Sequence, residues 1–189
     1  VLKKTSERKD KFSTREYELV TGGKNTEVVH KEFGYVLKLD PQKVYFSPRE
    51  ATDRNNIAKS VKAGETVAVF FAGVGAYAVA IAKLQPEVKK IFAIEINPDA
   101  VYYMNENIRI NKIAHLVSAV QGDVKEFARK IYGMCDRVIM PLPLEGKEFL
   151  ENAISYTKKN GVVHYYTVAE EDLYEEIELV KRIAKQLNR

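Results

Sequence analysis

The sequence predicts an α/β fold: a Rossmann-like, doubly wound and mostly parallel sheet with a small antiparallel β lead-in at its N-terminus. Three observations carry that expectation. From residue 67 onward, five short apolar runs alternate with five helical patterns, as parallel strands joined by crossover helices do. The first run, Val67-Ala68-Val69-Phe70-Phe71, empties into Ala72-Gly73-Val74-Gly75 before a helical pattern begins. The second run, Ile91 to Ile94, ends on Glu95, about 20 residues further on, where an acidic side chain can accept both hydroxyls of a ribose.

Taken in order, residues 1–12 are polar and basic and are expected to be poorly ordered. Glu16–Val20, Thr26–His30 and Tyr35–Leu39 alternate like strands, with Thr21-Gly22-Gly23, Asn25 and Gly34 at their connections. They make an antiparallel lead-in over residues 1–43, too small to bury a core alone, ahead of a larger domain over 44–189. Val44-Tyr45-Phe46 is a further extended piece. Ser47-Pro48 then starts a helix from Arg49 to Val61, because a capping hydroxyl followed by proline is a start signal. The alternating section places strands at 67–71, 91–95, 116–121, 136–140 and 162–168. Its helices fall at 76–84, 98–111, 123–132, 145–158 and 170–187, and Asn97-Pro98 repeats the cap-then-proline start.

Composition narrows the class. With 46% hydrophobic and 30% charged residues in 189, the chain has material for one real core. No run of 18 apolar residues occurs, so no membrane span is expected, and no charged-then-apolar leader is seen. The single Cys135 excludes an internal disulfide and a cysteine metal cluster, which points to a reducing, cytoplasmic setting. Val1 in place of Met points to a processed chain or a fragment. The net charge of +4 is mild but polarised. Lys3, Lys4, Arg8, Lys9, Lys11 and Arg15 crowd the start, while Glu170, Glu171, Asp172, Glu175, Glu176 and Glu178 collect near the end. Such a distribution permits a nucleic-acid partner and equally describes solvated faces. His30, His115 and His164 are scattered, and no spacing suggests a metal.

In a doubly wound sheet the chemistry lies just beyond the carboxyl ends of the strands. Those positions hold Phe71 to Gly75, Glu95-Ile96-Asn97, Gly122-Asp123-Val124, Pro141-Leu142-Pro143 and Tyr165-Tyr166-Thr167. Gly73-x-Gly75-x-x-Ala78 with Glu95 fits a dinucleotide fingerprint, so a nicotinamide cofactor is one reading. Gly122-Asp123 favours S-adenosylmethionine instead, since a carboxylate there can accept from the adenine amino group; Asp123 equally suits a helix N-cap. Two prolines directly after a strand stiffen the loop that would wall a flat base. Tyr45, Phe71, Tyr165 and Tyr166 are able to stack on one, although aromatics at strand ends are commonly core.

Several blocks together are recognisable: Val44-Tyr45-Phe46-Ser47-Pro48-Arg49-x-Ala51-Thr52-Asp53-Arg54, Phe71-Ala72-Gly73-Val74-Gly75, Asn97-Pro98-Asp99-Ala100, Asp136-Arg137-Val138-Ile139-Met140-x-Leu142-Pro143 and His164-Tyr165-Tyr166. The chain resembles the archaeal tRNA guanine-37 N1-methyltransferase family over roughly Arg15 to Glu178. Related aminocarboxypropyl transferases of the wybutosine pathway share part of the pattern. The resemblance implies a class I S-adenosylmethionine fold, methyl transfer to guanine N1 beside the anticodon and tRNA as partner; the sequence requires no metal, and a monomer is expected. Carried over by position, Arg49, Arg54, Glu95, Ile96 and Asn97 would hold the cofactor, Asp123 and Val124 its adenine, and Phe71, Gly73 and Gly75 its methionine side, with Pro141 adjoining. Tyr45, Pro141, Leu142 and Pro143 would line the guanine pocket, Asp53 would take the N1 proton, and Arg15 would match a catalytic arginine.

Against the family pattern, Asp53 replaces a glutamate, Val69 an acidic residue, and Pro141 an asparagine. Family members also carry an N-terminal RNA-binding portion and further strands after the last helix. These departures leave two alternatives, aminocarboxypropyl transfer and a non-catalytic tRNA-binding relative.

Overall fold

Alternate residues of the central strand look in opposite directions, and the whole architecture follows from that. In the computed structural model, which describes residues 1–7, 12, 14–168 and 173–187 and omits the side chains of 128–130, β5 is Thr66–Val69. Val67 and Val69 enter one apolar cluster, whereas Ala68 and the following Phe70 enter another. A strand apolar on both faces needs cover on both. The first face is covered by α1 (Ala51–Ser60), α2 (Ala76–Leu84) and α3 (Pro98–Ile110). The second is covered by α4 (Val124–Ile131), α5 (Leu150–Tyr156) and α6 (Tyr174–Gln186). Helix α2 is apolar on all sides and buried from Ala76 to Ala82, as a helix walled in by neighbours must be.

With β6 (Lys90–Glu95), β7 (Val117–Gln121), β8 (Cys135–Met140) and β9 (Thr157–Tyr165), β5 forms a five-stranded sheet ordered β7-β6-β5-β8-β9. Every neighbouring pair in it is parallel. The chain winds outward through β6 and β7, returns past β5 to β8, and ends on β9. The crevice where the order reverses therefore lies beyond the carboxyl ends of β5 and β8. Cys135 is fully buried at the start of β8, and burial pushes its thiol up to about 12, which keeps it protonated. No helix among the described residues is long and apolar enough to cross a membrane.

The lead-in is two hairpins rather than one three-stranded unit. Leu2–Lys4 (β1) pairs antiparallel with Tyr17–Leu19 (β2), and Val28–Glu32 (β3) with Tyr35–Leu39 (β4). The start of the chain is thus a strand where a poorly ordered segment was expected. Its Leu2 and Lys4 match Leu19 and Tyr17 in register, a partner the local sequence cannot reveal. Tyr35, Leu37 and Leu39 alternate into the main core. The outer edge of β4 is met by side chains of α3. Asn107 accepts from the Lys38 amide (2.6 Å) and donates to its carbonyl (3.0 Å). Asn111 does the same at Val36, at 3.2 and 2.7 Å.

Three boundaries differ from expectation. Val44–Phe46 forms no strand, and Ser47 gives no side-chain cap; Pro48–Glu50 is a 3-10 turn that leads into α1. The expected helix 145–158 divides into a 3-10 turn, Gly146–Phe149, and α5. Strand β9 starts at Thr157, before the Lys158-Lys159-Asn160-Gly161 stretch that reads as a turn. Asn160 adopts a positive φ of 64° there and the pairing with β8 shifts register between Cys135 and Arg137, so the turn-like residues are absorbed as an irregularity within the strand. The expected start of the last helix at 170, the cations Arg8, Lys9 and Lys11, and the acids Glu170, Glu171 and Asp172 lie outside the described residues.

Candidate active site

At the end of β5 the chain must turn away from a fully packed strand and enter α2 within a few residues. Phe71, Gly73 and Gly75 do this with positive φ values of 51°, 55° and 82°, and the Gly75 amide closes the turn on the Ala72 carbonyl at 2.9 Å. A side chain at Gly75 would meet Met104 Cγ at 2.9 Å, so both conformation and space require glycine. The turn places the Gly73 N–H against Glu95 Oε2 at 2.7 Å. On the other oxygen, the Asn97 N–H donates to Glu95 Oε1 at 2.8 Å. Asn97 is itself fixed: its side chain caps α3 through the Asp99 amide (3.0 Å) and donates to the Lys43 carbonyl (3.2 Å).

Burial raises the Glu95 carboxyl above its ordinary value, against the opposing pull of the Asn97, Gly73 and Ile96 amides. Each of its oxygens accepts one backbone donor and keeps a lone pair for another. That is an acceptor arrangement suited to a vicinal diol.

Glu95 lies on the wall of a cavity of about 630 Å³, a size within the usual range for small-molecule sites. Of the residues singled out from the sequence, Phe71, Gly73, Ile96, Asn97, Asp123, Val124, Tyr45, Pro141, Leu142 and Pro143 line it with Glu95. Ile96 offers an exposed apolar surface. The Asp123 carboxylate accepts from the Lys125 amide at 2.8 Å as the cap of α4, which leaves further acceptor capacity on it. After β8, the Leu142 amide bonds the Met140 carbonyl and the Gly146 amide bonds the Leu142 carbonyl, both at 2.9 Å. The Leu142 and Gly146 amides are thus used internally, and the two prolines have none to offer.

The carboxylate expected to take a proton stands behind the wall. Asp53 is not among the lining residues; its Oδ2 accepts from the hydroxyls of Tyr77 (2.8 Å) and Tyr166. Tyr166 does line the cavity. Burial, followed by its bond to Asp53, raises the Tyr166 hydroxyl well above the normal tyrosine range, so it stays a neutral donor. A second carboxylate, Glu50, lines the cavity directly and accepts from the Tyr45 hydroxyl at 2.8 Å.

Three cations expected at the site are placed elsewhere. Arg54 is 1% exposed, and both edges of its guanidinium are occupied. Nη2 and Nε (3.2 Å) donate to the Glu32 carboxylate, and Nη1 and Nη2 donate to the Ser47 carbonyl at 3.1 Å. The buried Glu32 also accepts from the Tyr35 hydroxyl at 2.9 Å. Desolvation alone would lower the Arg54 value, and the Glu32 partner outweighs it to raise the value. Arg54 therefore fastens α1 to the lead-in. Arg15 and Arg49 line a different cavity.

Sequence reasoning overlooked Glu50, Phe149 and Glu145 at the main cavity. Phe149 packs edge-on to Phe71 at 4.8 Å and carries Lys125 Nζ 4.5 Å from its ring centroid. Among the described residues no group of three or more His, Cys, Asp or Glu could hold a metal ion.

Fold and site together define a class: a doubly wound α/β domain with an acceptor carboxylate after its second parallel strand, on the wall of a cavity sized for a small molecule. The description of the TRM5/TYW2 methyltransferase domain matches residues 28–189, and the chain belongs to that family. It is 43% identical over 166 residues to the tRNA (guanine(37)-N(1))-methyltransferase Trm5b of Pyrococcus abyssi, covering 88% of this chain and 48% of the relative. The solved complex of aTrm5 and tRNALeu superposes with a TM-score of 0.86 at 38% identity, over 96% of this chain and 52% of that one. The Methanocaldococcus jannaschii TYW2 in complex with AdoMet gives 0.81 at 35% identity, over 88% and 75%. The chain spans about half the length of the curated methyltransferase relatives it matches.

Proposed function

We propose that this chain is the catalytic part of an enzyme that transfers a methyl group from S-adenosylmethionine to N1 of guanine 37 in tRNA. The observation that carries the reading is the Glu95 carboxylate, set by the Gly73 and Asn97 amides on the wall of a cavity that also takes in Tyr45 and Tyr166. The relatives' printed substrates and the AdoMet-bound neighbour support it.

In this reading Glu95 accepts both ribose hydroxyls, Ile96 and Val124 flank the adenine, and Asp123 accepts from its amino group. Gly73 and Phe71 border the methionine side, while Asn97 holds Glu95 in place. Gly75 acts through the turn. The bound cofactor supplies an electrophilic methyl group, and the chain supplies position and a route for the proton. Tyr45 and the Pro141-Leu142-Pro143 loop hold the guanine. N1 of guanine loses its proton as the methyl arrives. The Tyr166 oxygen accepts that proton while its own passes along the existing hydrogen bond to Asp53, so a carboxylate too short to enter the cavity still acts as the final acceptor.

Calorimetric titration with S-adenosylmethionine, followed by mass analysis of tRNA incubated with protein and cofactor, tests the reading. Cofactor binding and a gain of one methyl on guanine 37 are expected. Absence of cofactor binding would overturn it. Addition of the larger aminocarboxypropyl group would favour the second reading, to which Pro141 in place of asparagine lends weight.

A further inference from the structure

The second cavity, of about 400 Å³, adjoins the first through Tyr45, which lines both. Its charge is one-sided. Lys4 on β1, Arg15 before β2 and Arg49 in the 3-10 turn line it from three separate segments, and among the described residues no carboxylate lines it. Among the described residues none of these three cations forms an ion pair. Its aromatic wall is held in place. The Phe46 ring meets His30 edge-on at 5.1 Å and lies 5.2 Å from the Arg54 guanidinium carbon, which is itself immobilised by Glu32. Tyr17 lines the cavity too.

Unpaired cations beside a fixed aromatic surface suit one ligand chemistry: a nucleotide held by its phosphates with its base against a ring. Among the described residues no lysine or arginine lines the larger cavity, so the cations described for a polyanionic strand entering it lie outside it. We propose that the second cavity binds the phosphate and base of the RNA nucleotide next to the one whose base enters the larger cavity, with Tyr45 as the partition between them. This rests on the functional reading above for its choice of RNA. It assigns Lys4 and Arg15 to substrate phosphate, and Arg49 to phosphate rather than to cofactor.

The test is the salt dependence of binding to a hairpin transcript of a tRNA anticodon arm, followed by fluorescence anisotropy with the whole chain between about 50 and 200 mM salt. Each phosphate contact contributes about 0.7 to the slope of log affinity against log salt for single strands. Lys4→Ala and Arg49→Ala should each reduce the slope by about that amount. Arg49→Lys should restore it, because the charge is kept. Tyr17→Ala should weaken binding by about fivefold or more at every salt concentration with the slope unchanged. Lys4 and Arg49 are exposed, so their variants are expected to fold, as a thermal midpoint would verify.

Slopes unchanged in both alanine variants, or no RNA binding by the unmodified chain, would overturn the proposal. S-adenosylmethionine titration of the unmodified chain separates the two ideas. Cofactor binding with unchanged slopes removes the second cavity alone. Reduced slopes without cofactor binding keep the cavity and remove the methyltransferase reading.

Discussion

Replacing Glu95 by glutamine alters the site at one atom and isolates what the carboxylate contributes. In the structure its two oxygens accept from Gly73 N–H and Asn97 N–H at 2.7 and 2.8 Å. An amide can serve only one of those donors, because its NH2 group would face the other. Hydrogen bonds to charged groups are worth about 1.5–3 kcal/mol each. A bound ribose would lose at least one such bond, which at about 1.4 kcal/mol per decade weakens cofactor binding by about 10- to 100-fold. The assay is titration calorimetry of S-adenosylmethionine against native and Glu95→Gln chains. Only the ionised carboxylate accepts on both oxygens. Since burial raises its pKa above the usual 4.5, affinity should be lost as pH falls, and lost at a higher pH than an ordinary glutamate would show. Equal affinities for the two chains at pH 7 would refute the assignment of Glu95 to the cofactor.

Other consequences can be measured. Arg54→Met leaves Glu32 buried without its partner and should lower the unfolding free energy by about 3–5 kcal/mol in urea titrations; a loss below about 1 kcal/mol would show that the pair does not fasten α1. Asp53→Asn and Tyr166→Phe should each cut single-turnover methyl transfer by about 10²–10⁴-fold if they form one proton route. An unaffected Tyr166→Phe enzyme beside a crippled Glu50→Gln one would move the base to Glu50. Gly75→Ala combines a φ of 82° with the 2.9 Å approach to Met104, so it should cost about 1–3 kcal/mol, and a thermal midpoint equal to that of the native chain would contradict the turn geometry.

The parallel sheet was legible because its signals are local. Alternation of apolar strands with helical patterns, Asn97 before Pro98, and glycines where φ is positive all lie within a few residues of what they control. The setting of Arg54 is not legible in the same way, because its partner Glu32 is 22 residues away, on a strand whose pairing no short window reveals. The same limit concealed β1, which exists through its register with β2. Thr157 falls within the helix expected over 145–158, and only the packed neighbour β8 makes an irregular strand there preferable. Glu50 was missed for a different reason. Its neighbour Asp53 occupies the position at which the family carries a glutamate, and a side chain's reach into a cavity is not encoded in spacing.

The two asparagines of α3 imply something about solubility. An isolated hairpin leaves a row of amides and carbonyls open on the outer edge of each strand, and such a row invites a strand from another molecule. Residues 107 and 111 are one turn apart, about 6 Å along a helix, and residues 36 and 38 are about 6.7 Å apart along a strand. The near match lets a helix imitate two rungs of a ladder at the edge of β4. Unlike a true strand, the helix cannot pass the pairing on, so β4 is satisfied by a partner that ends the sheet and offers no template for aggregation.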